Sequence, residues 1–195
     1  MTDNKSKGII RIIRFIEHLY VRLFNFGRFD FKLFKGQYFN SFCSEGWHLA
    51  YRSLKLCRKM KTNRNVKWPV SPQIRIQNPN NIIFDFDDLH NFWTYGVYYQ
   101  AIGQIVLGKG TFIGPNVGII TANHDFKHLE KHFNSKPVVI GKNCWIGMNS
   151  MILPGVNLGD NTIVGAGSVV TKSFTEGGVV IAGNPAKIIR KNELS

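Results

Sequence analysis

The chain has 195 residues, 44% of them hydrophobic, which is enough for one core and a smaller attached element. No run of about 18 uncharged apolar residues occurs, which argues against a membrane-spanning helix. The three cysteines, Cys43, Cys57 and Cys144, are too widely spaced for a disulfide framework or a paired metal site. The net charge of +13 is concentrated, with 15 Lys and Arg against 4 acids in residues 1–70 but 10 against 8 in residues 71–195, so a surface for an anionic partner belongs to the N-terminal part.

From Ile9 to Phe26 the polar residues Arg11, Arg14, His18, Arg22 and Asn25 recur at steps of three and four, one stripe of an α-helix whose remaining surface is almost wholly apolar. Two arginines interrupt the apolar core that a secretory signal needs, so none is expected. Two readings stay open for this helix. It lies on an anionic cytoplasmic membrane leaflet, where each cation near the surface gains about 1 kcal/mol, or it packs on its own or a neighbouring subunit. A second basic stretch holds Arg52, Lys55, Arg58, Lys59, Lys61, Arg64 and Lys67. No recognised nucleic-acid-binding motif accompanies it, and nucleic acid is not an expected partner. Residues 1–70 thus read as a basic, partly helical segment.

After residue 71 the alternation at Ile74–Ile76 reads as a strand punctuated by Pro72 and Pro79, and Ile82, Ile83 and Phe84 read as another. Asp85, Asp87 and Asp88 cluster beside Phe86, Phe92, Trp93 and Tyr95. Either this mix faces a sugar, rings stacking on it and carboxylates accepting its hydroxyls, or the acids are solvated turn residues above buried aromatics.

A six-residue cycle then takes over. Leu107, Ile113 and Ile119 open three sixes, and Ile140, Ile146, Ile152, Leu158, Val164 and Val170 open six more, with small residues Cys144, Ser150, Val156, Thr162 and Ser168 at the fifth place. Neither a helix nor a plain strand has this period, so each six is one short strand plus one turn, and the aliphatic openers stack in columns that no single coil could bury alone. Glycine beside the opener suits a corner with positive φ or a crowded backbone. The phase slips over the 21 residues from Ile119 to Ile140, so a polar excursion at about 125–137 leaves the coil just after His124. A loop that begins at a histidine is the place to look for catalysis. His128, Glu130 and His132 within it lack further zinc ligands, and no metal is expected.

These sixes resemble the hexapeptide-repeat acyltransferases over roughly residues 100 to 191. The resemblance implies a mainly β fold, a left-handed parallel β-helix of triangular section over residues 71–186, preceded by the α-helical segment and followed by a tail at 187–195. The general rule for parallel crossovers is the opposite hand, so handedness comes from the resemblance alone. ITANHDF is similar to the motif carrying the catalytic histidine of the maltose, galactoside and xenobiotic O-acetyltransferases, which makes His124 the general base. The same likeness implies acetyl-CoA contacts from Trp145 in CWIGM, from Met148, from Ala166, Thr171 and Lys172 in GAGSVVTK, and from Lys187 and Arg190 in and after GNPAK, the last two for the nucleotide phosphates. Where the maltose and galactoside enzymes have a sugar-binding asparagine and its aspartate partner, this chain has Gly96 and Ala101, so their acceptor site does not transfer. Asp88, Tyr99 and Asp125 are the acceptor-site candidates; Asp125 is also a candidate to orient His124.

The function this implies is direct acetyl transfer from acetyl-CoA to a sugar hydroxyl of a capsular or exopolysaccharide precursor, in the cytoplasm or peripherally on the inner face of the membrane. A homotrimer is expected, because a short prism with outward Trp145, Met151 and Ile163 leaves more apolar surface than a small soluble unit keeps. The rival reading is a membrane-docking structural or interaction module on a β-helix scaffold. It leaves GAGSVVTK and GNPAK unexplained.

Overall fold

A computed structural model describes residues 2–132 and 134–192, so Phe133 of the expected loop and residues 193–195 of the expected tail lie outside the described residues. The chain divides between Pro72 and Gln73 into two units.

The first unit is a helical hairpin of α1 (Thr2–Phe24) and α2 (Glu45–Met60). Glu45 sits favourably in the first turn of α2, and Lys61 closes its last turn in the left-handed region, its N–H bonded back to the carbonyls of Arg58 and Cys57. Val21, Phe29, Trp47, Ala50 and Leu54 are the buried centre, with Phe31, Phe34 and Phe39 packed round Trp47. Gly46 is required there, since any Cβ would run into the Tyr38 carbonyl and the Phe39 ring. The side of α1 that faces α2 holds Glu17, whose carboxyl is 2.7 Å from His48 Nδ1, His18, whose ring is 4.1 Å from that of Trp47, and the buried Val21.

The second unit is a three-sided parallel solenoid. Its first strands are β1 (Arg75–Ile76), β2 (Ile82–Ile83), β3 (Tyr98–Tyr99), β4 (Ile105–Leu107), β5 (Phe112–Ile113) and β6 (Gly118–Ile119). Beyond the excursion come β7 (Val138–Ile140), β8 (Trp145–Ile146), β9 (Met151–Ile152), β10 (Asn157–Leu158), β11 (Ile163–Val164) and β12 (Val169–Val170), then a hairpin of β13 (Val179–Gly183) and β14 (Ala186–Lys191). Successive strands fall on successive sides, giving sheets ordered β1-β3-β6-β9-β12, β2-β4-β7-β10 and β5-β8-β11-β13-β14. Every pairing is parallel except that of β14 on β13. Lys187–Lys191 thus continue a strand that covers the last edge of the third sheet.

The columns follow the six-residue cycle. Ile76, Tyr99, Ile119, Ile152 and Val170 stack in the first sheet, and Ile113, Ile146, Val164 and Ile181 in the third, all buried. The fifth-place residues Cys144, Ser150, Val156, Thr162 and Ser168 are buried as well. The glycines beside the openers answer to crowding: a Cβ on Gly147 would lie 2.6 Å from the Ala166 nitrogen of the next coil. Asparagines take several of the left-handed corner positions, Asn143, Asn149 and Asn161 at φ 53°, 59° and 59°, and glycines such as Gly155 and Gly167 take others.

The first coil lacks a third strand. A 3₁₀ segment, Phe86–Phe92, stands in its place, and the buried Asn91 imitates strand pairing by accepting from Ile113 N (2.9 Å) and donating to Thr111 O (2.8 Å). The starting edge of the third sheet is thereby covered.

Candidate functional site

The chain leaves the solenoid after β6 and returns at β7, and His124 lies at the root of that excursion. Its departure is braced by a buried amide: Gln100 Oε1 accepts from the N–H groups of Thr121 and Ala122 (both 2.8 Å), and Gln100 Nε2 donates to Ala122 O (3.1 Å). Lys136 N donates to Thr121 O at 2.8 Å, which fastens the returning strand to the same point. Gln100 is a positioning residue that the sequence reading missed; its signal is a glutamine directly after the Tyr98–Tyr99 strand.

Within the loop, His124 and His132 form an isolated antiparallel bridge, with ring centroids 4.3 Å apart. His124 Nδ1 lies 2.6 Å from the Leu129 carbonyl oxygen. A carbonyl only accepts, so Nδ1 carries a proton, and in the neutral ring the lone pair is then on Nε2. Asp125 is occupied inside the loop, where its carboxylate accepts from Lys127 N (2.8 Å). Leu129 O, not Asp125, therefore orients the imidazole. His128 and Glu130 are 3.6 Å apart at the exposed surface, and among the described residues no cluster of three or more His, Cys, Asp or Glu is arranged to hold a metal. Beside the loop root lies an open cleft of about 370 Å³ lined by Asn123, Asn134, Lys136 and Pro154.

The other expected residues occupy two places. Trp145 is on the outer face of the third sheet, 58% exposed, with Phe112 and Ile163 as its strand partners. Met148 and Ala166 sit in the corner that follows, one coil apart, where Gly167 N donates to Met148 O (2.8 Å). Lys187 and Arg190 are on β14, paired with Ala182 and Val180. Thr171 and Lys172 lie at the next corner. The bonds from Ile120 N to Ile152 O and from Leu153 N to Val170 O align that corner with the one from which the His124 loop departs. Along one chain, then, His124, Asp125, Thr171 and Lys172 share a corner, and the first sheet separates them from the face and corner of Trp145, Met148 and Ala166.

Two acceptor-site candidates are corrected by burial. Tyr99 is fully buried in the first column between Ile76 and Ile119; its hydroxyl donates to Asn91 O (3.1 Å), and burial pushes the phenol pKa far up. Asp88 is buried in the 3₁₀ segment, where it accepts from Gly110 N (2.7 Å); desolvation raises its pKa, and that N–H partly offsets the rise. Both hold the first coil together. Asp85 and Asp87 turn outward to Lys109, at 3.2 and 3.1 Å.

Residues 137–172 match the family model described as the hexapeptide repeat of succinyl-transferase, which carries the left-handed winding of such solenoids to this chain. A Saccharomyces cerevisiae protein provisionally named an acetyltransferase is 48% identical over 91 residues, 45% of this chain and 46% of that one. An Escherichia coli protein provisionally named a colanic acid biosynthesis acetyltransferase is 41% identical over 97 residues, 49% of this chain and 52% of that one. The Escherichia coli galactoside O-acetyltransferase is 42% identical over 90 residues, 45% of this chain and 44% of that one. The chain spans about half the length of the curated relatives it matches.

Proposed function

We propose that this hexapeptide-repeat chain is an acetyl-CoA-dependent O-acetyltransferase acting on a sugar hydroxyl, of a capsular or exopolysaccharide precursor, with His124 as general base. The observation that carries the reading is the bond from His124 Nδ1 to Leu129 O, which in the neutral ring puts the lone pair on Nε2, at the root of a loop whose neighbouring residue Asn123 lines an open cleft. In the proposed step Nε2 takes the proton of the acceptor hydroxyl as its oxygen attacks the thioester carbonyl. The C–S bond then breaks, and the coenzyme A sulfur leaves with the proton from the imidazolium. A base so held contributes about 10² to 10⁴ in rate, and fixing two substrates together contributes more. Trp145, Met148, Ala166, Thr171, Lys172, Lys187 and Arg190 hold acetyl-CoA in this reading. Asp125 is the acceptor-side residue retained from the sequence. The polysaccharide acceptor is favoured by the named role of the colanic acid relative. The reaction is assigned to the cytoplasm, at the inner face of the membrane.

The active assembly in this reading is a homotrimer with the site between subunits. Its support is the placement of His124 and Trp145 on either side of the first sheet: the base of one copy meets the donor face of the next once three prisms close in a ring. The test is complementation. His124→Ala and Trp145→Ala subunits, each inactive alone, are refolded together in equal amounts. The mixed preparation as a whole regains about a quarter of wild-type transfer if each site draws one residue from each of two neighbours. No recovery, with trimers formed, removes the shared site, and unchanged turnover in His124→Ala alone removes the base.

A further inference from the structure

In the first unit the amphipathic helix α1 is inside out. A helix on a water-soluble unit buries its apolar stripe and turns its charges to solvent, whereas here the packed side holds buried Glu17 and Val21 with half-buried Arg14 and His18, and most of the apolar face is left outside. Arg14 donates to Glu45 O (3.4 Å), Glu17 meets His48, His18 stacks on Trp47, and the Arg22 guanidinium lies 4.6 Å above the Phe31 ring. The opposite face stays outside: Ile12, Ile16 and Leu23 are 62%, 59% and 71% exposed, with Ile9 and Leu19 also exposed along the same stripe. Phe15 extends it to Phe42, their rings edge to face at 5.6 Å and both exposed. So continuous an apolar surface over a 23-residue helix is far more than a soluble unit leaves open without a partner.

We propose that this face of α1 docks on an anionic lipid bilayer, lying in the headgroup region parallel to the surface. This gives the peripheral location proposed above a specific structure, and it stands on the first unit alone. Charge selects the occupant. Residues 1–70 carry 15 Lys and Arg against 4 acids, so a second copy brought against this face would carry the same net +11 and be repelled, whereas an anionic surface is attracted. The helix lies on the membrane and does not enter it, for no helix among the described residues is long and apolar enough to cross. The contacts of Arg14, Glu17, His18 and Arg22 explain why the polarity inverts: the aromatic cluster around Trp47 offers rings and a carbonyl to cations and an imidazole, and the aliphatic side chains are left to the outside.

The test is co-sedimentation of the full-length protein with vesicles of equimolar phosphatidylcholine and phosphatidylglycerol, against vesicles of phosphatidylcholine alone. The wild type pellets with the anionic vesicles, binds those of phosphatidylcholine at least about tenfold more weakly, and is released by high salt. The triple variant Ile12→Glu, Ile16→Glu, Leu23→Glu loses at least about tenfold in vesicle affinity. The milder pair Ile12→Ser, Ile16→Ser, with helix content checked by circular dichroism, loses part of it. A wild type that stays in the supernatant with the anionic vesicles overturns the proposal, as does a triple variant that binds like the wild type. A triple variant whose sedimentation-equilibrium mass falls, in a protein that ignores vesicles, assigns the face to contact between copies instead. Acetyl-CoA binding by the same variants, measured by calorimetry, reports separately on the solenoid and stays at the wild-type level if the two readings are independent.

Discussion

The proton of His124 is held on Nδ1 by the carbonyl oxygen of Leu129, 2.6 Å away and five residues further along the same loop. That placement of the proton therefore depends on the fold of the excursion itself. His124→Ala is expected to lose about 10² or more of acetyl transfer while its thermal unfolding stays where the wild type has it, because the side chain is exposed and contributes nothing to the core. Steady-state turnover and a melting curve on the same preparation check both halves, and a variant retaining a third of the turnover would remove His124 as the base.

Lys172→Glu combined with Arg190→Glu is expected to raise the KM for acetyl-CoA by about tenfold or more, since each reversal replaces an attraction for phosphate by a repulsion. Both side chains are exposed, so the fold tolerates the change. The KM for the acceptor should stay within about twofold. Equal weakening for both substrates would detach these residues from the donor side.

Asn91→Ala tests the covered edge of the solenoid. The substitution leaves Ile113 N–H and Thr111 C=O without their partner in a buried place, at a cost of about 1–3 kcal/mol for each group left unsatisfied. Urea denaturation should show the loss as a lower midpoint with an unchanged slope. An unshifted midpoint would mean that solvent already reaches that edge.

The helical hairpin should weaken in acid. His18 is held below the ordinary imidazole pKa, first by burial and then by the charge of Arg22, whose Nε–H donates to His18 Nε2 at 3.3 Å and so requires the neutral ring. A depressed folded value means stability that is present above the usual imidazole pKa of about 6.5 and is lost as pH falls through the lowered value. Glu17 works the other way: burial raises its pKa and Arg14 partly opposes the rise, so its contribution is lost as pH climbs through the raised value. On lowering the pH from neutrality, amide hydrogen exchange in α1 should therefore quicken in wild type but not in His18→Gln, and equal acceleration in both would show that His18 is not the group responsible.

The solenoid was written in the sequence because a coil of a β-helix repeats its environment. A buried column demands an aliphatic residue at each return, a crowded corner demands glycine, and both recur every sixth residue where they are counted without knowing any contact. Even Asp88 obeys the count, six residues after Ile82 and twelve after Ile76, and Tyr99 falls six before Ile105. Period alone did not reveal that these two polar side chains point inward, because the first coil replaces its third strand by a 3₁₀ segment and satisfies them with Gly110 N–H and Asn91 C=O. The histidine at the break in phase was legible for the same reason: a lost period marks where chain leaves the coil. Its tautomer was not, since Leu129 O reaches Nδ1 only through the closure of a loop with no repeat to read. In α1 the stripe of charge was plain from spacing, but a helical pattern states only which residues share a face. Whether that face turns to solvent or to protein was settled by Trp47, Phe31 and His48, residues far along the chain whose rings give cations and imidazole a better partner than water.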